Sequence, residues 1–111
     1  MKLTIAILIA VFFLTAPAAI AAEQGEAFFK AQGCTSCHRP ESSSKVNPSL
    51  KEIAQMYRGK ENRLLQYLNG EAEAIVKPER ASMMKRHIEK TKQLDDTGRK
   101  SIADFIMSYA D

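Results

Sequence analysis

This chain contains no tryptophan, and cysteine and histidine occur only twice each. Two cysteines are too few for a disulfide framework, and with two histidines they leave at most one four-ligand zinc site. No stretch alternates regularly between apolar and polar residues, so the pattern predicts no β-strands. Lysine and arginine exceed aspartate and glutamate by only 16 to 13, and no basic stripe is interleaved with aromatic residues. We therefore expect no nucleic-acid partner.

The longest unbroken apolar run lies near the N-terminus, from Ile5 to Leu14. Its ten residues are too few for a transmembrane helix, which needs about 20. Lys2 precedes the run, and small residues suited to a cleavage site follow it. We predict a secretory signal peptide over residues 1–21 and one mature domain over residues 22–111, with an uncleaved anchor as the alternative. In a bacterium, export of this kind places the mature protein in the periplasm.

The most informative stretch is Cys34-Thr35-Ser36-Cys37-His38, which reads C-x-x-C-H. Two thiols at this spacing can add to the two vinyl groups of a haem, and the next residue can then offer an imidazole nitrogen to the iron. The motif therefore predicts one covalent haem c, held by Cys34 and Cys37, with His38 as an axial ligand. Covalent attachment of this kind takes place outside the cytoplasm, in agreement with the predicted export.

The same residues allow three other interpretations. A dithiol redox centre would use the two cysteines alone, but the βαβ pattern typical of such centres is missing around them. A zinc site would have to combine Cys34, Cys37 and His38 with His87, because the chain offers no other cysteine or histidine. A plain disulfide between the two cysteines is the third.

Helical periodicity dominates the rest of the chain. Leu50, Ile53, Ala54 and Tyr57 follow the i, i+3, i+4, i+7 spacing of an amphipathic helix, and the same spacing returns near the C-terminus. We predict an all-α fold of four to five short helices. The predicted helices cover residues 23–32, 48–58 with Asn47 as N-cap, 60–69, and 95–109 with Asp95 or Asp96 as N-cap. A short turn is predicted at 78–80.

A haem iron bound only by His38 would leave its other axial position open. The residues able to fill it are Met56, Met83, Met84, His87 and Met107. Met56 and Met107 fall in predicted helices, where packing is the default role of methionine. Met83 and Met84 fall in a non-periodic stretch that we predict to be a loop able to cover the haem. His87 is expected to be a solvated loop side chain.

Together these features resemble the class I cytochrome c family, specifically its small bacterial single-haem members, over essentially all of residues 22–111. The resemblance implies that about four helices wrap one covalently bound haem, and that the first and last helices cross at glycine and aromatic positions. Gly25 and Phe29 would then meet the face of Phe105 and Ile106. The matching positions are Gly25, Phe29, Cys34–His38, Asn47–Leu50, Met83-Met84, Phe105 and Tyr109.

The resemblance also implies roles for two further residues. The backbone carbonyl of Pro48 would accept a hydrogen bond from His38 Nδ1–H and fix the orientation of the ring. In small relatives that resemble this chain, a Met-Lys-Pro run precedes a Lys-Thr-Lys segment, which here is residues 90–92. This alignment picks Met84 as the second axial ligand ahead of Met83, although Lys-Arg follows Met84 here instead of Lys-Pro.

His/Met ligation suits electron transfer, because the soft thioether raises the potential and both axial positions are filled. The resemblance predicts a monomeric electron carrier, not an enzyme, with a quinol-oxidising complex as donor and a terminal oxidase or reductase as acceptor. It would touch the membrane transiently, or through an uncleaved signal. The alternatives are a haem-based sensor of small ligands with an open or displaceable distal site, and a haem subunit of a larger oxidoreductase. A run of six basic residues between Lys77 and Lys92 is expected to form a collar that steers a redox partner.

Overall fold

The computed structural model describes residues 18–111, and within this range all regular structure is helical. Five α-helices and two short 3₁₀ turns follow one another along the chain, which confirms the predicted all-α class and number of helices. The helices are α1 (Ala18–Ala31), α2 (Leu50–Tyr57), α3 (Glu61–Leu68), α4 (Ala81–Lys92) and α5 (Asp96–Met107), and the 3₁₀ turns are Cys34–Ser36 and Pro78–Arg80.

Most of the predicted signal peptide lies outside the described residues, so its cleavage stays a prediction. The first helix starts earlier than expected, because α1 already begins at Ala18 and runs through the predicted cleavage position. Among the helices of the described range, none combines the length and apolar character that a membrane span requires.

Helices α1 and α5 pack against each other at Gly25. A Cβ atom built at this position would lie 1.8 Å from the carbonyl oxygen of Ser101 and 2.8 Å from the Cβ of Phe105. One turn later, the rings of Phe29 and Phe105 have centroids 5.3 Å apart. The crossing of the first and last helices at a glycine and aromatic residues is therefore confirmed. This crossing fixes the end of α1, from which the C-x-x-C-H segment follows.

The hydrophobic core draws on all five helices. Leu50, Leu64 and Ile102 are almost completely shielded from solvent. Thr91 of α4 donates its hydroxyl to the carbonyl of Leu68 at 2.6 Å, which ties the end of α3 to α4. The buried apolar residues are Phe29, Leu50, Ala54, Tyr57, Leu64, Leu68, Ile88, Ile102, Ala103, Phe105 and Ile106.

The start of α2 differs from the prediction. Ser49, not Asn47, is the N-cap, and its side-chain oxygen accepts a hydrogen bond from the backbone N–H of Glu52 at 3.0 Å. Serine followed by glutamate three residues later is the S-x-x-E signature of a helix start. Pro48 therefore lies outside the helix. At α5 the prediction is confirmed, since Asp95 caps the helix by accepting from Gly98 N–H at 2.7 Å.

The prediction of a loop around Met83 and Met84 is wrong, because both residues lie in α4. The predicted short turn at 78–80 is present as a 3₁₀ turn that leads directly into this helix. Ile88 and Thr91 are the only buried residues of α4. An apolar stripe this narrow gives weak periodicity, and the surrounding lysines and arginines concealed it.

Arg99 secures the far end of α4. Its buried guanidinium donates to the backbone carbonyls of Thr91 at 3.3 Å and Lys92 at 2.9 Å, and also to that of Leu94. It pairs in addition with the carboxylate of Asp96. The last carbonyls of a helix have no partners within the helix. Arg99 supplies those partners and thereby fixes α4 against the start of α5.

Candidate functional site

A largely apolar cavity of about 320 Å³ lies between the helices. The C-x-x-C-H segment and Pro48 contribute to its wall on one side, and α4 contributes Met83, Met84 and His87. The cavity thus brings together all the residues that the sequence singled out for haem attachment and for iron ligation, except Met56 and Met107, which do not line it.

The two cysteines lie on and beside a 3₁₀ turn that Gly33 makes possible. Gly33 adopts a left-handed conformation with φ of 78°, which glycine accepts without a steric penalty. The backbone N–H groups of Cys37 and His38 both point to the carbonyl of Cys34, at 3.3 and 3.0 Å. Both cysteines are free thiols that line the cavity. Burial raises the pKa of the Cys34 thiol, so this group stays protonated at neutral pH.

The imidazole of His38 is buried, and its Nδ1 lies 2.8 Å from the carbonyl oxygen of Pro48. A carbonyl can only accept a hydrogen bond, so Nδ1 carries the proton and donates it. In the neutral ring this leaves the lone pair on Nε2, the nitrogen available to a metal ion. The contact between His38 and Pro48 is thus the one that the family resemblance implied.

Backbone hydrogen bonds hold the segment between the motif and α2. The N–H of Leu50 donates to the carbonyl of Arg39 at 2.9 Å, and that of Lys51 donates to Pro40 at 3.0 Å. Ser43 adds a third tie, because its hydroxyl accepts from Ser49 N–H at 3.0 Å. Sequence reasoning missed these contacts, since a backbone carbonyl and a loop serine have no distinctive pattern.

In the part of the cavity wall that α4 forms, the two adjacent methionines differ in exposure. Met83 is 56% exposed, whereas Met84 is partly buried and packs against the hydrophobic core. Met56, which is 47% exposed, does not line the cavity, and Met107 packs against the core outside the cavity wall. Of these four methionines, Met84 is therefore the one that both lines the cavity and packs against the hydrophobic core.

The expectation of a solvated loop position for His87 is wrong. His87 lies in α4, is partly buried and lines the cavity. Its Nδ1 is buried and has no hydrogen-bond partner among the described residues. The helix produces this difference from the prediction, since it places His87 one turn after Met84 on the same face.

Two tyrosines add polar groups that sequence reasoning missed. Tyr57 and Tyr67 both line the cavity, and burial raises the pKa of each phenol. Both hydroxyls are therefore neutral at physiological pH, and each keeps a proton that it can donate in a hydrogen bond. The helical spacing assigned Tyr57 only to an apolar stripe, because periodicity reports the ring and not its hydroxyl.

Three basic residues line the cavity on the α4 side, whereas Lys85, Lys90 and Lys92 do not line it. Lys77, Arg80 and Arg86 are among its lining residues, and both arginines are exposed. Lys77 has a left-handed backbone with φ of 45° and pairs with Glu52 at 3.9 Å. The predicted basic collar consists of Lys77, Arg80, Lys85, Arg86, Lys90 and Lys92.

The residues of the cavity fit a haem. Its wall is mainly apolar, two free thiols lie on one edge, and the imidazole of His38 leaves one nitrogen unshared. The zinc interpretation lacks its ligand cluster, because no group of three or more His, Cys, Asp or Glu in residues 18–111 is arranged to hold a metal ion. The βαβ surroundings of a dithiol redox centre are missing from the same range.

Five helices around an apolar cavity, with C-x-x-C-H on its edge, define a small single-haem protein. The profile of the cytochrome c family matches residues 22–110. The chain belongs to the cytochrome c family. Members of this family bind haem c covalently and transfer electrons to partner proteins, and Cys34 and Cys37 fit the attachment motif. A comparison with curated proteins found no significant match.

Proposed function

We propose that this protein is a single-haem electron carrier whose iron is ligated by His38 and Met84, with Cys34 and Cys37 as the points of covalent attachment. One observation carries this proposal: His38 and Met84 line the same cavity. His38 is oriented by Pro48 on one side, and Met84 lies on the α4 side, packed against the core.

The bound haem iron supplies a one-electron couple between its ferric and ferrous states. The residues of the chain set the conditions for that couple. Pro48 holds the His38 ring in one tautomer and one orientation, which favours the same ligand geometry in both oxidation states. The thioether of Met84 is a soft ligand that raises the reduction potential. The mainly apolar wall would shield a bound haem from water.

The mature carrier comprises residues 22–111 and works as a monomer in the bacterial periplasm, after export directed by residues 1–21. Its donor is a quinol-oxidising complex and its acceptor a terminal oxidase or reductase. This assignment is supported by the family match over residues 22–110 and by the N-terminal apolar run.

The basic collar is the proposed docking surface for these partners. Arg80 and Arg86 are exposed at the cavity edge, where the distance from the haem to a partner would be short. Positive charges there attract an acidic patch on a partner and raise the encounter rate more than the affinity. Such attraction between exposed charges is screened by salt.

Stopped-flow electron transfer tests the proposal. The reduced holoprotein is mixed with membranes that contain the terminal oxidase of the same bacterium, over a series of ionic strengths. We expect the second-order rate constant to fall with salt, and Arg80→Gln/Arg86→Gln to lower both the rate and its salt dependence. The control Lys60→Gln/Arg63→Gln removes two exposed charges that do not line the cavity and should leave the salt dependence nearly unchanged. A rate independent of salt would contradict collar steering, and absence of any transfer would contradict the proposed acceptor.

A further inference from the structure

His87 is a polar side chain of the cavity wall that the proposed ligation does not use. Among the described residues, His87 Nδ1 is the side-chain nitrogen or oxygen that is both buried and without a hydrogen-bond partner. Leaving a buried polar group unpaired destabilises the folded protein. Such groups are rare in native proteins and call for a partner such as a water molecule, an ion or a cofactor.

The place of His87 in the helix indicates which partner it could reach. It follows Met84 by three residues in α4, so the two side chains share one face, and both line the cavity. His38 is held by its hydrogen bond from Nδ1 to Pro48, whereas Nδ1 of His87 has no hydrogen-bond partner among the described residues. The imidazole of His87 therefore lacks the restraint that fixes the ring of His38.

Competing donors in the cavity wall are less well placed. Neutral imidazole is the commonest protein ligand of metal ions. Met83 is 56% exposed and Lys77 pairs with Glu52, so each would have to leave its present surroundings. His87 would only have to give up an unfavourable environment for Nδ1.

We propose that His87 is a second iron-ligating residue of the distal wall, which takes the axial position whenever the sulfur of Met84 does not occupy it. This inference rests on the proposed function, in which Met84 is the ordinary ligand. The exchange breaks one iron–sulfur bond and forms one iron–nitrogen bond. It transfers no electron, and a neutral imidazole releases no proton. The chain then keeps its iron six-coordinate with either donor.

The test compares ferric absorption and electron paramagnetic resonance spectra of matured holoprotein variants, together with carbon monoxide binding after reduction. We expect Met84→Leu to lose the far-red iron–sulfur band yet stay low-spin with two nitrogen ligands. In Met84→Leu/His87→Gln we expect a high-spin iron. Carbon monoxide should bind to its reduced form at least about tenfold faster than to reduced Met84→Leu. The control Met84→Leu/Met83→Leu should remain low-spin.

Three outcomes overturn the inference. A high-spin Met84→Leu shows that His87 does not ligate, and a double variant with glutamine at 87 that stays low-spin shows that another donor does. Retention of the iron–sulfur band in Met84→Leu refutes the Met84 assignment itself, so the two failures are distinguishable. If Met84→Leu does not mature, Met84→Ala replaces it. In addition, urea that detaches the sulfur from the wild type should give the nitrogen-ligated spectrum, and the same treatment of His87→Gln should not.

Discussion

The two sides of the cavity differ in how their residues are held. On the His38 side, the ring donates to Pro48, and two backbone hydrogen bonds join the following loop to α2. On the α4 side, His87 Nδ1 has no partner among the described residues, and Met83 is largely exposed. Hydrogen bonds of individual residues hold the His38 side, which we call the fixed side. The side chains on the α4 side depend on the position of the whole helix.

The hydrogen bonds that hold α4 in place lie at its C-terminal end. Thr91 is bonded to the carbonyl of Leu68, and Arg99 satisfies the last carbonyls of the helix. Between these ties and the 3₁₀ turn at Pro78–Arg80, the face of α4 carries several candidate donors. In the proposed ligation, local contacts therefore hold His38, whereas the donor from α4 depends on the placement of that helix.

The largest effect is expected from a substitution at the crossing of α1 and α5, which supports the fixed side. Gly25→Ala puts a methyl group within 1.8 Å of the Ser101 carbonyl oxygen, so α1 and α5 must separate. We expect the free energy of unfolding of the holoprotein to fall by about 3 kcal/mol in urea denaturation. Gln24→Ala, at the exposed neighbouring position, should change it by less than about 0.5 kcal/mol. Equal stability of the two variants would show that α1 and α5 accommodate the added methyl group without separating, which would contradict the structure.

A somewhat smaller effect breaks the α4 side at its end. Arg99→Met removes the donor for three carbonyls at the junction of α4 and α5, which should cost about 2 kcal/mol. Because the damage is local to α4, the iron–sulfur band should disappear at lower urea than the helical circular dichroism. Lys100→Met is the control, since its exposed pair with Asp104 contributes about 0.5 kcal/mol or less. If the iron–sulfur band and the circular dichroism of Arg99→Met were lost at the same urea concentration, Arg99 would not act locally on the end of α4.

The smallest expected effect sharpens the comparison at Pro48. Ser49 takes the Glu52 N–H, which leaves the carbonyl of Pro48 to His38. Ser49→Ala removes this cap and should lower the free energy of unfolding by about 1 kcal/mol. It should also weaken the orientation of His38, visible as a shift of the reduction potential. Ser36→Ala, at an exposed position of the 3₁₀ turn, should change neither quantity. An unchanged reduction potential in Ser49→Ala would show that the helix cap does not affect the orientation of His38.

The sequence predicted the C-x-x-C-H motif of the fixed side because that motif is encoded locally, but it missed the N-cap at Ser49 and the backbone contacts of the following loop. The C-x-x-C-H spacing, the helix periodicity and the cap at Asp95 are all short-range patterns. The α4 side was predicted less well, since Met84, Ile88 and Thr91 give only a narrow inward stripe among charged residues. The roles of Arg99 and His87 depend on which residues the fold brings near them, and no spacing in the sequence carries that information.

The most direct test of the account is the far-red spectrum of the ferric holoprotein in wild type, Met83→Leu and Met84→Leu. A weak charge-transfer band there reports a bond between iron and a methionine sulfur. We predict the band in wild type and Met83→Leu and its loss in Met84→Leu. A wild type without the band, which binds carbon monoxide readily when reduced, would contradict the closed His38/Met84 site and favour a sensor of small ligands.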